Sequence, residues 1–595
     1  SFLLGAFQYL MDWHEDYYLA HEPEKWTKGR DPALIQTADG DWRLTTDEKK
    51  RILVNNIHGV DIDQQAVEVT KLSLLLKVLE EETGQLTLGF ERALPDLNDN
   101  IKCGNSLINW DYFAEQLLPD ENEVQRVNPF DWEKQFPEVF SQGGFDVVIG
   151  NPPYVRAESI DKRDKQYLKK YLSFRSNADL YVYFIEKSLN LLNEHAYCGL
   201  ITSNKFIKTK YGKDLRNFIS KYTTIIQMID FGELPVFENA STFPVIIIYQ
   251  SKLNEELDFI FSPIKSLNFE NLSSEIKRNH LLIPNSILLN EKWILVSEDQ
   301  RKLLLKIIEK GIPFNKYLDR EINRGIVTGL DRCFLISEKK ANNLLEGGTI
   351  YRDHIKPYLI GDDIRKYRIN DSNKFLIFFE KGWTKDRYGV SSEHKAWNLF
   401  SKDYPRIANH LIKFREPAMK RYDQGDFWWE LRGCNFYGAF ESPKIIWPEI
   451  ARESRFTFDD EHYYLNKTTF FTPSDDFYLL GLLNSKLIWF YLKWHCSVLG
   501  DPEKGGRLMQ QKIYIEKIPI VDASLNNNFQ FIQKRIKVHA KHMLDLNKRT
   551  PQTPYEQELL QREIDATDLQ IDRLVYELYG LTEEEIKIVE GESKG

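Results

Sequence analysis

The chain has 595 residues, 42% of them hydrophobic, and a formal net charge of −10. Its length exceeds what one core can organise and points to about three domains, while no apolar run approaches the roughly 18 residues of a membrane span. The acidic balance excludes a generally basic nucleic-acid coat, so any nucleic-acid contact must use a local basic face.

Ser1-Phe2-Leu3-Leu4-Gly5-Ala6-Phe7 enters an amphipathic helix with neither a starting methionine nor a cap, and without the basic start of a signal peptide. Ile57 to Asp63 reads as a strand, followed by a helix over 64–81 with Leu72, Leu75, Leu76 and Leu79 on a helical period. An acid at such a strand end, Asp61, is placed to accept ribose hydroxyls in a nucleotide-binding sheet. Asp63 reads equally as the cap of the helix. Ile101 to Leu107 repeats the pattern of strand into polar turn, at Gly104-Asn105-Ser106. Residues 111–144 are polar, with Phe130, Trp132, Phe136 and Phe140 on a partly apolar face, and read as a surface excursion.

Phe145 to Val155 follows. Phe145, Val147, Val148 and Ile149 predict a buried parallel strand. Gly150 permits a turn, and Pro152 and Pro153 fix two φ angles and remove two amide donors. The turn lies where open α/β sheets place their ligands. It holds out a carboxamide (Asn151), unpaired carbonyls and a ring (Tyr154), which suits a planar base: acceptors for an amino group and a face for stacking.

This stretch resembles the Asn-Pro-Pro-Tyr motif of adenine-N6 DNA methyltransferases of the gamma, or TaqI-like, group. The resemblance implies a Rossmann-like α/β sheet using S-adenosylmethionine (SAM), with double-stranded DNA as partner. It makes Asn151, Pro152, Pro153 and Tyr154 catalytic: Asn151 and Pro152 accept hydrogen bonds from the exocyclic amine of a flipped adenine, and Tyr154 stacks on the base. It assigns cofactor contacts to Asp61, Ile62, Asn105, Ser106 and Asn151. In that family Ser-Phe-Leu directly follows the glycine-rich cofactor loop, so the resemblance also implies a numbering that starts inside a longer protein.

Downstream, 156–175 is dense in Lys and Arg and reads as a mobile helical loop near DNA. A helix over 179–192 and a strand over 196–202 precede Lys205, Lys208, Lys210, Lys213 and Arg216, a cluster able to track phosphates. Strands over 225–231 and 245–249 flank Phe237 to Pro244. The TaqI-like enzymes carry a base-packing Phe in such a loop, and Phe237 is the better match, with Phe243 as fallback. The acid, Asn, Asn-Pro-Pro-Tyr and Phe loop stand in family order over about 250 residues.

We divide the chain into a catalytic domain (1–262), a connector (263–310), a mixed α+β target-recognition domain (311–525) and a helical end (526–595). Three stretches, 326–334, 356–364 and 478–485, resemble the recognition domains of TaqI-like and combined restriction–modification enzymes. Base readout needs Arg, Lys, Asn or Gln at base edges, and Arg421, Arg432, Arg455, Arg507, Gln510 and Gln511 are candidates. Five scattered cysteines (103, 198, 333, 434 and 496) argue against zinc and fit a reducing cytoplasm. A magnesium nuclease needs clustered carboxylates and a Lys. Glu48-Lys49-Lys50 and Glu338-Lys339-Lys340 come nearest, each in a polar, loop-like setting, and are rejected, so no metal site is expected.

The reading is a SAM-dependent adenine DNA methyltransferase with its recognition domain, as in type IIG restriction–modification enzymes, whose nuclease lies upstream. The alternatives are a stand-alone or phage-defence methylase, an RNA or protein methyltransferase, and a non-catalytic DNA-specificity protein.

Overall fold

In a computed structural model of the chain, which describes residues 2–591 other than 38, 81–93, 117, 238–242, 255, 290–292, 371, 500–505, 523 and 525, two units divide at Leu295 and Val296. The first opens with helix α1 (Phe2–Ala20), which buries Phe7, Met11 and Tyr18. Helix α2 (Thr46–Asn56) is capped by Thr45 and buries Glu48, Ile52 and Leu53. Strands β1 (Gly59–Asp61) and β2 (Ile101–Cys103) pair in parallel, with Asp61 opposite Cys103. Helix α3 (Gln64–Leu79) follows β1, and the Asp63 carboxylate caps it at the Gln65 N–H.

The larger sheet runs β8-β7-β5-β6-β4-β3. Its strands are β3 (Phe145–Gly150), β4 (Leu192–Ser203), β5 (Thr224–Asp230), β6 (Pro244–Gln250), β7 (Asp258–Pro263) and β8 (Leu281–Pro284). The pairs β3–β4 and β5–β7 are parallel; β6 runs antiparallel between β4 and β5. The unit is thus α/β with a mixed sheet. Two expectations need correction. β3 is not a doubly covered strand: Val147 is 58% exposed, so the face it points to is not covered by packing, and among the described residues β3 is an edge strand that pairs only with β4. The stretch read as a connector from residue 263 adds β8, which pairs with β7 and belongs to the sheet.

The second unit holds two four-stranded sheets. In one, β13 (Lys444–Pro448) lies between β14 (Thr457–Asp459) and β16 (Thr469–Pro473), and β9 (Asn323–Arg324) pairs with β16. In the other, β12 (Lys374–Ile377) joins β10 (Leu335–Ser337) to β11 (Ile355–Leu359), and β15 (Tyr464–Leu465) lies parallel to β11. Around them packs an aromatic core that includes Phe379, Phe400, Tyr404 and Trp429. Helices α4 (Asn527–Lys548) and α5 (Pro554–Tyr579) form a C-terminal hairpin. Thr553 and Glu556 form the capping box of α5, and Gly580 ends it in the left-handed conformation. The hairpin is bonded into this unit through Lys366 to Asp568 (2.6 Å) and the Lys486 N–H to Asp572 (2.8 Å).

His354 lies buried in the aromatic core. Its Nδ1 is 3.0 Å from the Phe378 carbonyl, its Nε2 3.1 Å from the Tyr404 hydroxyl, and its ring stacks on Phe379 at 4.1 Å. A neutral ring makes both bonds, donating from Nδ1 and accepting at Nε2; protonating Nε2 would turn the Tyr404 hydroxyl from donor into acceptor and place a charge in the core. Burial pushes its pKa down to about 4, from about 6.5 in an unfolded chain. The folded-state value is the depressed one, so stability is full above about pH 6.5 and is lost as pH falls towards about 4, by about 3 kcal/mol in all. Thermal unfolding should show a midpoint that falls across that window, and a lower but flatter profile for His354→Gln. A variant as acid-sensitive as the wild type would refute this assignment.

Candidate active site

A cavity of about 2030 Å³ opens between β1 and β3, larger than the roughly 300–1000 Å³ usual for a small-molecule site. Asp61, Ile62, Asn105, Ser106, Asn151, Pro152 and Pro153 all line it. The two strands are held near one another by an aromatic cluster in which the His58 ring lies 5.9 Å from Phe145 and 5.4 Å from Phe136. The excursion over 111–144 therefore includes packing material for this site, since Phe136 and Trp132 also contact Phe145.

At the end of β1, one Asp61 oxygen accepts the Asp63 N–H at 2.9 Å, and the exposed carboxylate keeps further acceptor sites. Asn105 is more committed: its amide nitrogen donates to the Val127 carbonyl (3.2 Å) and its oxygen accepts the Leu107 N–H (3.1 Å). It staples its own loop and brings Ser106 to the cavity wall.

The turn after β3 begins without unusual backbone. Gly150 stays in the strand, and a Cβ there would meet only Leu200 Cδ2, at 3.6 Å, so the prolines rather than the glycine set the turn. Pro152 is buried and Asn151 exposed. Neither the Asn151 carboxamide nor the Pro152 carbonyl has a hydrogen-bond partner among the described residues. The chain beyond is pinned: the Leu180 N–H reaches the Val155 carbonyl (2.9 Å), and the Ala157 N–H reaches Asp179 Oδ1 (3.1 Å). Tyr154 is half-buried, and burial pushes its phenol up to about 12, so the ring stays uncharged at physiological pH. Its centroid lies 6.1 Å from that of Phe237.

The segment that carries Phe237 is tied at both ends by residues the sequence did not single out for this role. Asp230 Oδ1 accepts from Asn204 Nδ2 (2.8 Å) and the Gly232 N–H (3.0 Å), and the Asn204 N–H reaches the Phe243 carbonyl (2.7 Å). Phe243 itself lies 5.4 Å from Lys205 Nζ. Residues 238–242 of the expected base-packing loop lie outside the described residues.

Among the basic residues, Lys208 and Lys210 are exposed and Lys205 and Lys213 half-buried. Arg216 is a correction: it is 3% exposed and donates to the carbonyls of Phe206 and Thr209, so it anchors a turn and has no reach to a phosphate. The segment 156–175 is also less available than its composition suggests, because Arg163 pairs with Glu123, Lys170 with Asp111 and Arg175 with Asp214. Of the base-reading candidates, Arg421 is 7% and Gln510 0% exposed. Arg455 pairs with Glu453, Arg432 with Asp423, and Gln511 with Glu449; Arg507 is exposed.

Glu48 is not loop-like but buried in the first turn of α2, bonded to Tyr18 and Arg51 at 2.6 Å each. Among the described residues no group of three or more His, Cys, Asp or Glu is arranged to hold a metal, and no helix is long and apolar enough to cross a membrane.

Residues 55–237 match the Eco57I restriction-modification methylase family, and residues 356–520 match the TaqI-like C-terminal specificity domain. The type II restriction enzyme and methyltransferase RM.Eco57I of Escherichia coli is 26% identical over 98% of this chain, which spans 59% of that protein's length. The type II methyltransferase M.BstVI of Geobacillus stearothermophilus is 24% identical over 90% of this chain and 86% of its own. In fold, the chain is similar to the type IIL restriction-modification enzyme MmeI, solved in complex with DNA, with a TM-score of 0.55 and 15% identity over 91% of this chain and 69% of that one. The chain thus carries a region similar to the Eco57I methylases followed by one similar to the TaqI-like C-terminal specificity domain, and is homologous to the type II restriction–modification methyltransferases.

Proposed function

We propose that the protein methylates the exocyclic amine of an adenine turned out of duplex DNA, at sites chosen by its specificity domain. The carrying observation is a pair of acceptors with no partner among the described residues, the Asn151 carboxamide and the Pro152 carbonyl, beside the Tyr154–Phe237 ring pair. An aromatic amine is a poor nucleophile because its lone pair is delocalised into the ring. Two acceptors on its hydrogens favour the localised form and become stronger as positive charge develops on nitrogen, which lowers the barrier selectively. Tyr154 and Phe237 supply faces for the extruded base, whose unstacking costs a few kcal/mol.

SAM, when bound, supplies the methyl group as an electrophilic sulfonium. Asp61, Ile62, Asn105 and Ser106 are the residues we assign to holding it, Asp61 through its exposed carboxylate, and Asn151 faces the same cavity. Transfer is direct, with no covalent enzyme intermediate. Lys205, Lys208, Lys210 and Lys213 are assigned to DNA phosphates. We infer further that the chain is the modification-and-specificity part of a type IIG enzyme.

Expression of the whole protein in a host without adenine methylation, followed by sequencing that detects modified bases, should reveal N6-methyladenine in one sequence context. Unmodified DNA alongside methylated RNA or protein would overturn the reading. Phe237→Ala should slow methylation about tenfold by removing one stacking face while leaving the unfolding midpoint unchanged. A wild-type rate would remove Phe237 from the base site.

A further inference from the structure

Residues 420–432, within the TaqI-like specificity domain, form a loop built with unusual internal bonding. Arg421 is buried, and its guanidinium donates to four carbonyls: Ala418 (3.2 Å), Thr328, Trp428 (2.8 Å) and Glu430 (2.9 Å). It also lies 4.4 Å from the Phe334 ring. The Glu430 carboxylate, likewise buried, accepts the N–H groups of Gly382 (3.1 Å), Thr384 (2.9 Å) and Asp426 (2.8 Å). Asp423 pairs with Arg432 at 3.1 Å. Gly329, with φ +68°, lets the chain pass so close that a Cβ there would stand 3.2 Å from the Asp423 carbonyl. A buried guanidinium is costly to desolvate unless its donors are met; here it fixes the base of a loop.

What this base holds out is Tyr422, which is 99% exposed, next to exposed Met419 and Lys420. A tip that only closed the chain would favour small polar residues. A rigid loop presenting a ring with two side-chain torsions is instead preorganised for contact, since little entropy remains to be lost on binding. Tyrosine in such a position is a frequent hot spot, and an aromatic face stacks on bases or wedges between them. We propose that Tyr422 is a DNA-contacting residue of the specificity domain, its ring set against a base of the target duplex by the Arg421 anchor. This rests on the DNA reading above.

The test uses the whole protein, wild type, Tyr422→Ala and Tyr422→Phe, with a duplex carrying the sequence found to be methylated and a duplex differing from it at one base pair. Tyr422→Ala should bind the first duplex about 5- to 100-fold more weakly and discriminate less between the two. Tyr422→Phe should remain near wild type, and both should unfold at the wild-type midpoint. In a duplex substituted with 5-iodouracil, irradiation should cross-link the wild type at Tyr422. Wild-type binding and discrimination by Tyr422→Ala would overturn the inference, as would a change confined to self-association, which would mark a protein contact. A wild-type protein that modifies no DNA would fail earlier, at the reading on which the inference rests.

Discussion

Replacement of Asn151 by alanine is expected to reduce methyl transfer by about 10²- to 10³-fold, the effect of removing one preorganised hydrogen-bonding group from a developing charge. The loss should fall on kcat more than on KM, because the interaction strengthens only as the amine nitrogen becomes positive. The fold should be untouched. The Asn151 carboxamide is exposed and has no partner among the described residues, so its removal leaves no buried group unsatisfied. Asn151→Asp keeps an acceptor oxygen and should retain more activity than alanine. Rates measured across both variants, with unfolding midpoints alongside, check this. A rise in KM with kcat unchanged would make Asn151 a binding group instead.

The second large effect concerns stability. Lys444 and Asp459 face one another across β13 and β14, Nζ to Oδ2 at 2.6 Å, with both side chains 0% exposed. Burial pushes the lysine pKa down and the aspartate pKa up, each offset in part by the other's charge. Further hydrogen bonds support the pair: Lys444 donates to the Phe440 carbonyl at 2.7 Å, and Asp459 accepts the N–H groups of Glu461 (2.9 Å) and Tyr463 (3.1 Å). Removing one partner strands the other in the core, so Lys444→Ala should destabilise the second unit by about 3–5 kcal/mol. The double variant Lys444→Met with Asp459→Asn removes both charges but keeps an acceptor for only one of the two N–H groups, which bond to different carboxylate oxygens, so it should recover part of the loss and lie about 1–3 kcal/mol below wild type. Urea unfolding followed by tryptophan fluorescence reads both. A single variant within about 1 kcal/mol of wild type would show that the pair contributes nothing a neutral core would not.

Which residues line the cavity was easier to read from the sequence than which cations face outward. Asn151, Pro152 and Tyr154 were legible because a proline pair after an apolar run constrains the backbone locally, and Asp63 because a cap is a local hydrogen bond. The pairing of Tyr154 with Phe237 spans distant segments, yet it followed from the order of elements that the family resemblance supplied. Arg216 and Arg421 were misread as outward-facing cations. Nothing in the residues around a guanidinium tells whether distant carbonyls will converge on it, and one of Arg421's acceptors, Thr328, lies 93 positions away. The strand β8 was missed because four residues ending in Pro284 are too short for periodicity to show. The ties at Asn204 and Asp230 were hidden for the same reason as Arg421: each residue sits at a strand end, and only the sheet order brings the two together.

The most direct measurement is transfer of labelled methyl from SAM to mixed-sequence duplex DNA by the whole protein, wild type and Asn151→Ala, followed by digestion to nucleosides. The account predicts label in N6-methyldeoxyadenosine with the wild type and only background with the variant. Label in another nucleoside, none despite measurable SAM binding, or equal label from both proteins would contradict it.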